Sequence, residues 1–156
     1  MSIVRVKEYF ESYGMAHRIQ EFEESSATVA LAAKALGCEP ERIAKTLALQ
    51  TRAESILIVT AGDTRIDNSK YKAFFKTKAK MIPAAETEAK IGHTIGGVCP
   101  FAVNEGVIVY LDESLKRFNT IFPACGSANS AIELSLDELE KHSHFQEWID
   151  VCKRAF

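Results

Sequence analysis

The sequence contains no long apolar run and no strong net charge. No stretch approaches the roughly 18 consecutive apolar residues that a membrane-spanning helix needs, and Arg5 and Lys7 interrupt the first apolar positions. The formal charge of −2 at pH 7 argues against a protein that coats nucleic acid without specificity. A net charge of this size still allows local basic patches. We therefore expect a cytoplasmic protein that partners neither a membrane nor DNA.

Clustered cysteines and nucleotide-binding glycine motifs are also missing. Cys38, Cys99, Cys125 and Cys152 are far apart, form no C-x-x-C pair and have no histidine at ligand spacing. Neither G-x-G-x-x-G nor G-x-x-x-x-G-K-S/T occurs, which argues against a dinucleotide fold and a P-loop. These absences predict reduced thiols, no metal site and no cofactor. At 156 residues, the chain suits one domain over residues 1–156.

Helical periodicity, capping residues and β-rich runs alternate along the chain. Helices are predicted at residues 3–13, from a cap at Ser25 and Ser26 to Gly37, from Pro40, and at residues 68–75 and 86–90. Strands are predicted at residues 18–22, 46–50, 55–61, 107–111, 119–122 and 131–134. A capping box, Ser135-x-x-Glu138, opens a C-terminal helix that is expected to break near residues 142–144 and to resume through residues 148–151. Hairpin-length connections, with helices concentrated at both ends, favour an α+β fold.

The segment from Ile91 to Phe101 holds three glycines and one proline within eleven positions. Gly96 and Gly97 permit positive φ angles and close approach by another molecule, and Pro100 restricts its own φ and biases the preceding residue toward an extended conformation. Such a rigid loop can hold a small polar group with its N–H and C=O dipoles. A tight turn between two buried strands is the alternative that the glycines alone leave open.

Four motifs follow one another in a recognisable order. They are Lys45-Thr46-Leu47, Gly62-Asp63-x-x-Ile66-Asp67, Gly92-His93-x-x-Gly96-Gly97-Val98-Cys99-Pro100-Phe101 and Pro123-Ala124-Cys125-Gly126-Ser127. In this order the chain resembles the YbaK family, the aminoacyl-tRNA synthetase-associated domain that also occurs as the editing insertion of prolyl-tRNA synthetases. The resemblance covers roughly residues 20 to 142, and its most specific part is the Gly-Gly-Val-Cys-Pro-Phe block.

The resemblance implies both a fold and a reaction. The fold would be α+β, with a mixed, largely antiparallel sheet curled toward a barrel and helices around it. The reaction would be hydrolysis, in trans, of the ester between a small amino acid, such as alanine or cysteine, and tRNA(Pro). The partner would be the acceptor end of an aminoacyl-tRNA, with an aminoacyl-tRNA synthetase as a second candidate. The alternative is a non-catalytic module that binds aminoacyl-tRNA or aminoacyl-adenosine and docks on a synthetase.

The same resemblance nominates the site residues. Lys45 would pair with the phosphate or the ester end of the substrate, unless it is an ordinary lysine at a helix C-terminus. The backbone of Gly96 and Gly97 would position the attacking water or a ribose hydroxyl, so that Gly97→Ala would cripple activity at little cost in stability. The residues expected to bind substrate are His93, Val98, Cys99, Gly126 and Ser127. For His93, a solvated loop histidine without a role is the alternative.

A nucleophilic cysteine is a rival mechanism. A thiolate at Cys99 or Cys125, beside His93 or His142, could form an acyl-enzyme as cysteine hydrolases do. Cys99, however, precedes a proline in an apolar setting, where a thiol stays protonated. We therefore favour direct attack by water or by a substrate group.

Residues 65–80 form the most basic stretch of the chain, with six lysines and arginines against Asp67 alone. Tyr71, Phe74 and Phe75 are interleaved with them and are expected to belong to the core. The lysines would project to solvent, and a helix with such a row can bind the phosphates of an acceptor stem. The residues expected to contact tRNA are Lys70, Lys72 and Lys76.

Overall fold

Five α-helices and ten β-strands make up the computed structural model, which describes residues 2–155. The helices are α1 (Ser2–Glu11), α2 (Val29–Leu36), α3 (Asn68–Phe75), α4 (Ala84–Ile91) and α5 (Leu136–Ser143). The strands are β1 (Gln20–Glu21), β2 (Ile43–Gln50), β3 (Ser55–Ala61), β4 (Thr64–Ile66), β5 (Ile108–Asp112), β6 (Thr120–Pro123), β7 (Ser130–Ala131), β8 (Leu134–Ser135), β9 (Glu147–Ile149) and β10 (Cys152–Arg154). In this part of the chain, no helix is long and apolar enough to cross a membrane.

Six strands form one mixed sheet in the order β8-β6-β2-β3-β5-β9. At its centre, β2 and β3 pair antiparallel from Ala44↔Ala61 to Gln50↔Ser55. The pairings β2–β6, β3–β5 and β5–β9 are parallel, and β8 pairs antiparallel with β6. Two antiparallel ribbons, β1–β7 and β4–β10, complete the β-structure. The predicted α+β class, with a mixed sheet curled into a half-barrel, is confirmed, but the expected predominance of antiparallel pairing does not hold in this sheet, where three of five pairings are parallel.

Both faces of the central sheet are covered, which explains why β3 is apolar at almost every position. Side chains alternate across a strand, so Leu57 and Val59 belong to a first core and Ile56 and Ile58 to a second. Helices α1, α4 and α5 contribute to the first core. Helix α3 covers the second core through the fully buried Tyr71. The two cores define the two sides of the molecule on which functional groups can lie.

Capping residues explain where the helices begin. Helix α3 has the predicted bounds because the Asp67 carboxylate accepts from the backbone N–H groups at its start. The capping box of Ser135 and Glu138 is present at α5. Helix α2 differs from the prediction, because its cap is Thr28 rather than Ser25 or Ser26. Its end at Gly37, with a φ of 68°, agrees with the sequence.

Three short or terminal elements correct the sequence-based assignment. The strand expected at residues 18–22 is reduced to Gln20–Glu21, and the one expected at 131–134 is split between β7 and β8. The C-terminal helix does not resume after Ser143, because residues 147–149 pair with β5 and residues 152–154 pair with β4. Partners so distant in sequence override the local apolar spacing that suggested a helix.

Candidate active site

The edge of β2 that faces away from β3 is paired with other segments at both ends of the strand but not in its middle. β6 pairs only with Ile43 and Ala44, and Met81 bridges Leu49 further along. Among residues 2–155, no strand pairs with this side of residues 45–47. A cavity of about 320 Å³ occupies the gap. The fold therefore leaves a stretch of β2 main chain beside an open cavity, which is where a ligand can be held.

The walls of the cavity are mostly small and apolar. Its alanines are Ala27, Ala32, Ala44, Ala48, Ala124 and Ala131. Two larger apolar side chains of the lining are unusually exposed: Met81 at 54% and Ile95 at 67%. Small residues inside leave room for a compact group, and exposed apolar residues lining the same opening offer a surface that a ligand would cover.

Lys45 lines this cavity, but its ammonium is bound on the other side of β2. It is the third residue of β2, so the alternative of a lysine at a helix C-terminus is wrong. Its Nζ donates to the backbone carbonyl of Thr64, and the side chain is half-buried. Desolvation lowers the pKa of Lys45, opposed in part by the nearby Asp63 carboxylate. The ammonium therefore has a protein partner that a substrate anion would have to replace.

Asp63 is itself held firmly. Its carboxylate is 2% exposed and accepts hydrogen bonds from the two terminal nitrogens of Arg117, at 2.5 Å from Nη2 and 2.9 Å from Nη1. Arg154 Nε lies 3.5 Å away. The hydrogen bonds from Arg117 keep the pKa of Asp63 below its usual range. A fixed negative charge therefore stands near Lys45 across the pH range in which proteins work.

Thr46 is a site residue that the sequence reasoning missed. It lines the cavity, and its Oγ1 is buried without a hydrogen-bond partner among the described residues. A buried hydroxyl without a partner is costly, so a hydroxyl of this kind on a residue of the cavity lining is a candidate ligand contact. The strand alternation around Lys45 was the available signal, because it turns Thr46 and Ala44 to the same face.

The glycine loop borders the cavity with Gly96 and Val98, while Gly97 faces away from it. Gly96 adopts a φ of +89°. Gly97 is buried, and a Cβ there would lie 2.5 Å from the Ser127 backbone nitrogen and 2.7 Å from the Gly126 carbonyl carbon. The expectation that Gly97→Ala would spare stability is therefore wrong, since backbone atoms cannot yield as a flexible side chain does.

His93 and Cys99 are buried behind the loop rather than in the cavity. His93 is fully buried, which overturns the solvated-histidine alternative, and its Nε2 lies 2.7 Å from the Phe101 carbonyl. The Cys99 Sγ lies 3.5 Å from the same Nε2. Burial lowers the pKa of His93 and raises that of Cys99 to about 12. This geometry gives neither side chain a route to a substrate in the cavity.

The remaining nominated residues lie on the far side of the loop. Gly126 and Ser127 line a second hollow, together with Arg5 and Thr94, rather than the β2 cavity. Burial raises the pKa of Cys125 well above its usual range. A thiolate nucleophile at Cys99 or Cys125 is therefore disfavoured on physical grounds as well as by sequence.

The three nominated lysines differ in their surroundings. Lys70 is bound by Asp150 at 2.9 Å and by the Cys152 carbonyl at 3.0 Å, so its ammonium is engaged. Lys72 and Lys76 are exposed and form no ion pair within residues 2–155. Of the interleaved aromatic residues, Tyr71 is buried and Phe75 packs against the second core, whereas Phe74 is 41% exposed.

Within the described range, no group of three His, Cys, Asp or Glu side chains could hold a metal ion.

The chain is similar to several known proteins along almost its whole length. A family model described as the aminoacyl-tRNA editing domain matches residues 23–142. The uncharacterized protein YwhH of Bacillus subtilis (strain 168) is 49% identical over 154 residues, which are 98% of each chain. A crystal structure described as a proposed trans-editing enzyme for prolyl-tRNA synthetase has a TM-score of 0.86 at 27% identity, with 97% of both chains covered. The hypothetical protein APE2540 has a TM-score of 0.83 at 26% identity, covering 96% of this chain and 99% of its own.

Proposed function

Because the chain belongs to the aminoacyl-tRNA editing domain family, we propose that it removes alanine or cysteine from mischarged tRNA(Pro) in trans. Aminoacyl-tRNA deacylase activity follows from membership of the family. The identities of the amino acid and of the tRNA are what we propose here. The choice of tRNA is supported by the structural relative whose description names prolyl-tRNA synthetase and that matches 97% of this chain. In the reaction, a water oxygen attacks the ester carbonyl carbon, the bond from that carbon to the ribose oxygen breaks, and the ribose oxygen takes up the proton that the water loses, so that the free amino acid leaves.

The observation that carries the proposal is that Lys45 and Gly96 line one cavity with small apolar walls. A cation and a bare stretch of main chain are what an ester at a nucleotide end requires. The alanines of the lining favour a small amino acid side chain.

Lys45 is proposed to bind the phosphate or ester end of the substrate. Its Nζ would leave the Thr64 carbonyl and turn toward the cavity, a rotation that a flexible four-carbon stem permits. Its lowered pKa means that the positive charge is lost at a lower pH than for an ordinary lysine. Substrate binding should therefore weaken on the alkaline side before pH 10.5, the usual lysine value.

The glycine loop is proposed to act through its main chain. Gly96 and Val98 border the cavity, and the Gly97 N–H closes a turn by donating to the Thr94 carbonyl at 3.1 Å. That turn fixes the direction of the neighbouring backbone dipoles. We assign the positioning of the attacking water, or of a ribose hydroxyl, to this backbone, with the Thr46 hydroxyl on the facing wall as a further contact.

A panel of mischarged tRNAs tests the proposal. Purified protein is incubated with Ala-tRNA(Pro), Cys-tRNA(Pro), Pro-tRNA(Pro) and Ala-tRNA(Ala), and release of amino acid is followed after subtraction of spontaneous hydrolysis. We expect release from the first two and little from the others. Release that ignores the tRNA would contradict the assignment to tRNA(Pro). Tight binding of every tRNA with no release would instead identify a binding module that docks on a synthetase.

A further inference from the structure

The β4–β10 ribbon places two positive side chains directly opposite each other. Arg65 on β4 is the cross-strand partner of Lys153 on β10, and both are exposed. Like charges in this arrangement repel and destabilise a β-ladder, because the two side chains start only about 5 Å apart. Neither forms an ion pair within residues 2–155. The ribbon therefore carries a cost that an anion bound between the two cations would remove.

The acidic side chains around the ribbon are already engaged: Asp112 accepts from the Ser114 and Val151 backbone N–H groups, and Glu113 is bound by Lys116. Asp63 is bound by Arg117, and Asp150 by Lys70. Asp67, whose carboxylate interacts with Lys153, also caps α3 by accepting from Ser69 and Lys70 backbone N–H groups. With these carboxylates committed, the outward face of the ribbon has an excess of positive charge.

The ribbon is physically joined to the candidate active site. Thr64, the residue before Arg65, supplies the carbonyl that holds the Lys45 ammonium. Cys152, the residue before Lys153, belongs to the second core, on the same side of the sheet as α3. Its carbonyl is bound by Lys70 of that helix. Arg65 and Lys153 thus add exposed positive charge to that of α3, on a ribbon whose Thr64 carbonyl binds the Lys45 ammonium.

We propose that the Arg65–Lys153 pair binds phosphates of the tRNA acceptor stem while the aminoacylated 3′ end occupies the cavity. The inference rests on the proposed function, since it assigns a docking surface to the same substrate. Strand β10 lies outside residues 23–142, so the family match assigns no role to Lys153. Arginine and lysine are suited to phosphate oxygens, one as a planar fork and the other as a point charge.

The test compares Arg65→Ala/Lys153→Ala with wild-type protein by filter binding of uncharged tRNA(Pro) over a series of KCl concentrations. We expect about tenfold weaker binding at low salt and a salt slope reduced by about 2, one for each lost phosphate contact. The charge-preserving exchange Arg65→Lys/Lys153→Arg should keep the wild-type slope. The control Lys7→Ala/Lys141→Ala removes the same charge from α1 and α5, on the other side of the sheet, and should keep it as well.

A stability readout separates a binding role from a structural one. Because the alanine variant removes a like-charge pair, its Tm should equal or exceed that of the wild type. A wild-type affinity and salt slope in that variant would overturn the inference, and so would an equal loss in the control. Amino acid release by the wild type from Ala-tRNA(Pro) is scored separately. If release fails while the slope still changes, the proposed substrate is wrong and the docking surface stands.

Discussion

Gly96 and Gly97 are neighbours in sequence, yet they serve two different regions of the molecule. Gly96 borders the β2 cavity, where a Cβ would meet the Ala27 Cβ at 3.3 Å. Gly97 belongs to the packed region behind the loop, where a Cβ would meet the Ser127 backbone nitrogen at 2.5 Å. One motif therefore combines a glycine at the ligand space with a glycine that lets two backbone segments touch. The contrast shows that a shared motif does not give its members a shared role.

The same contrast separates the groups that chemistry could use. The packed region contains the imidazole of His93 and the thiol of Cys99, which burial keeps neutral. The cavity lining contains Lys45, whose ammonium is held by the Thr64 carbonyl, and Thr46, whose hydroxyl has no partner among the described residues. The residue types that usually signal nucleophilic catalysis are thus on the wrong side of the loop. Burial, rather than residue type, identifies the groups available to a substrate.

The largest effect is expected from Lys45→Ala, which removes the only cation of the cavity lining among the described residues. Release of alanine from Ala-tRNA(Pro) should fall by about 100-fold or more, as when a charge-stabilising group is lost. The Tm should change little, because the half-buried ammonium donates only to the Thr64 carbonyl within this part of the chain. Lys141→Ala on α5 is the control of equal charge, and its turnover should match the wild type. Unchanged turnover in Lys45→Ala would remove the lysine from the mechanism.

Gly97→Ala tests the packed side of the comparison. The added Cβ collides with the Gly126–Ser127 backbone, so the free energy of unfolding should fall by roughly 1–3 kcal/mol and activity should fall with it. Thermal unfolding and kcat are measured on the same samples. Gly106→Ala gives the comparison for backbone strain without a collision: a Cβ at Gly106 meets nothing within 4 Å, but the φ of +91° disfavours alanine, so its Tm should fall while its activity is kept. A Gly97→Ala protein with unchanged Tm and no activity would indicate that Gly97 acts on the substrate in the cavity rather than in packing.

Thr46→Val separates a ligand contact from a structural one. Replacing an unpartnered buried hydroxyl by a methyl group should leave the Tm equal or higher. If substrate uses that hydroxyl, KM should rise by about 5- to 10-fold, the value of one hydrogen bond. Thr60→Val is the matched control, because the Thr60 hydroxyl lies 2.6 Å from the Thr64 Oγ1 and its loss should lower the Tm. A Thr46→Val enzyme with wild-type KM would rule out the contact.

The sequence predicted the parts of the fold that depend on local signals. Helix α3 has the predicted bounds because Asp67 caps it, and the Ser135–Glu138 box forms at α5. The strands at residues 147–149 and 152–154 could not be predicted in this way. They exist because β5 and β4 offer them edges, and those partners lie far away in the chain. Non-local pairing is the information that apolar spacing lacks.

Of the candidate site, only the residues that belong to recognisable motifs could be predicted from the sequence. The motif order indicated Lys45 and Gly96, which do line one cavity. Thr46 was missed, since its significance arises from the uncovered edge of β2 and the burial of Oγ1. Lys70 was nominated as a free lysine because its partner Asp150 is 80 residues away. Strand alternation around Lys45 could have pointed to Thr46, but the uncovered edge of β2 and the pairing of Lys70 with Asp150 depend on residues far apart in the sequence.

The smallest effect is expected from thiol alkylation. Cys99 and Cys125 are fully buried, and burial raises the pKa of both thiols, so iodoacetamide should not reach them in the folded protein. Cys38 is partly exposed and should react before the other cysteines, although burial raises the pKa of its thiol as well. Treated and untreated protein should therefore release alanine from Ala-tRNA(Pro) at rates that agree within about twofold, with mass spectrometry locating the label. Inactivation that substrate prevents, with label on Cys99, would mean that the packed region opens during turnover and that the two sides of the loop are not separate.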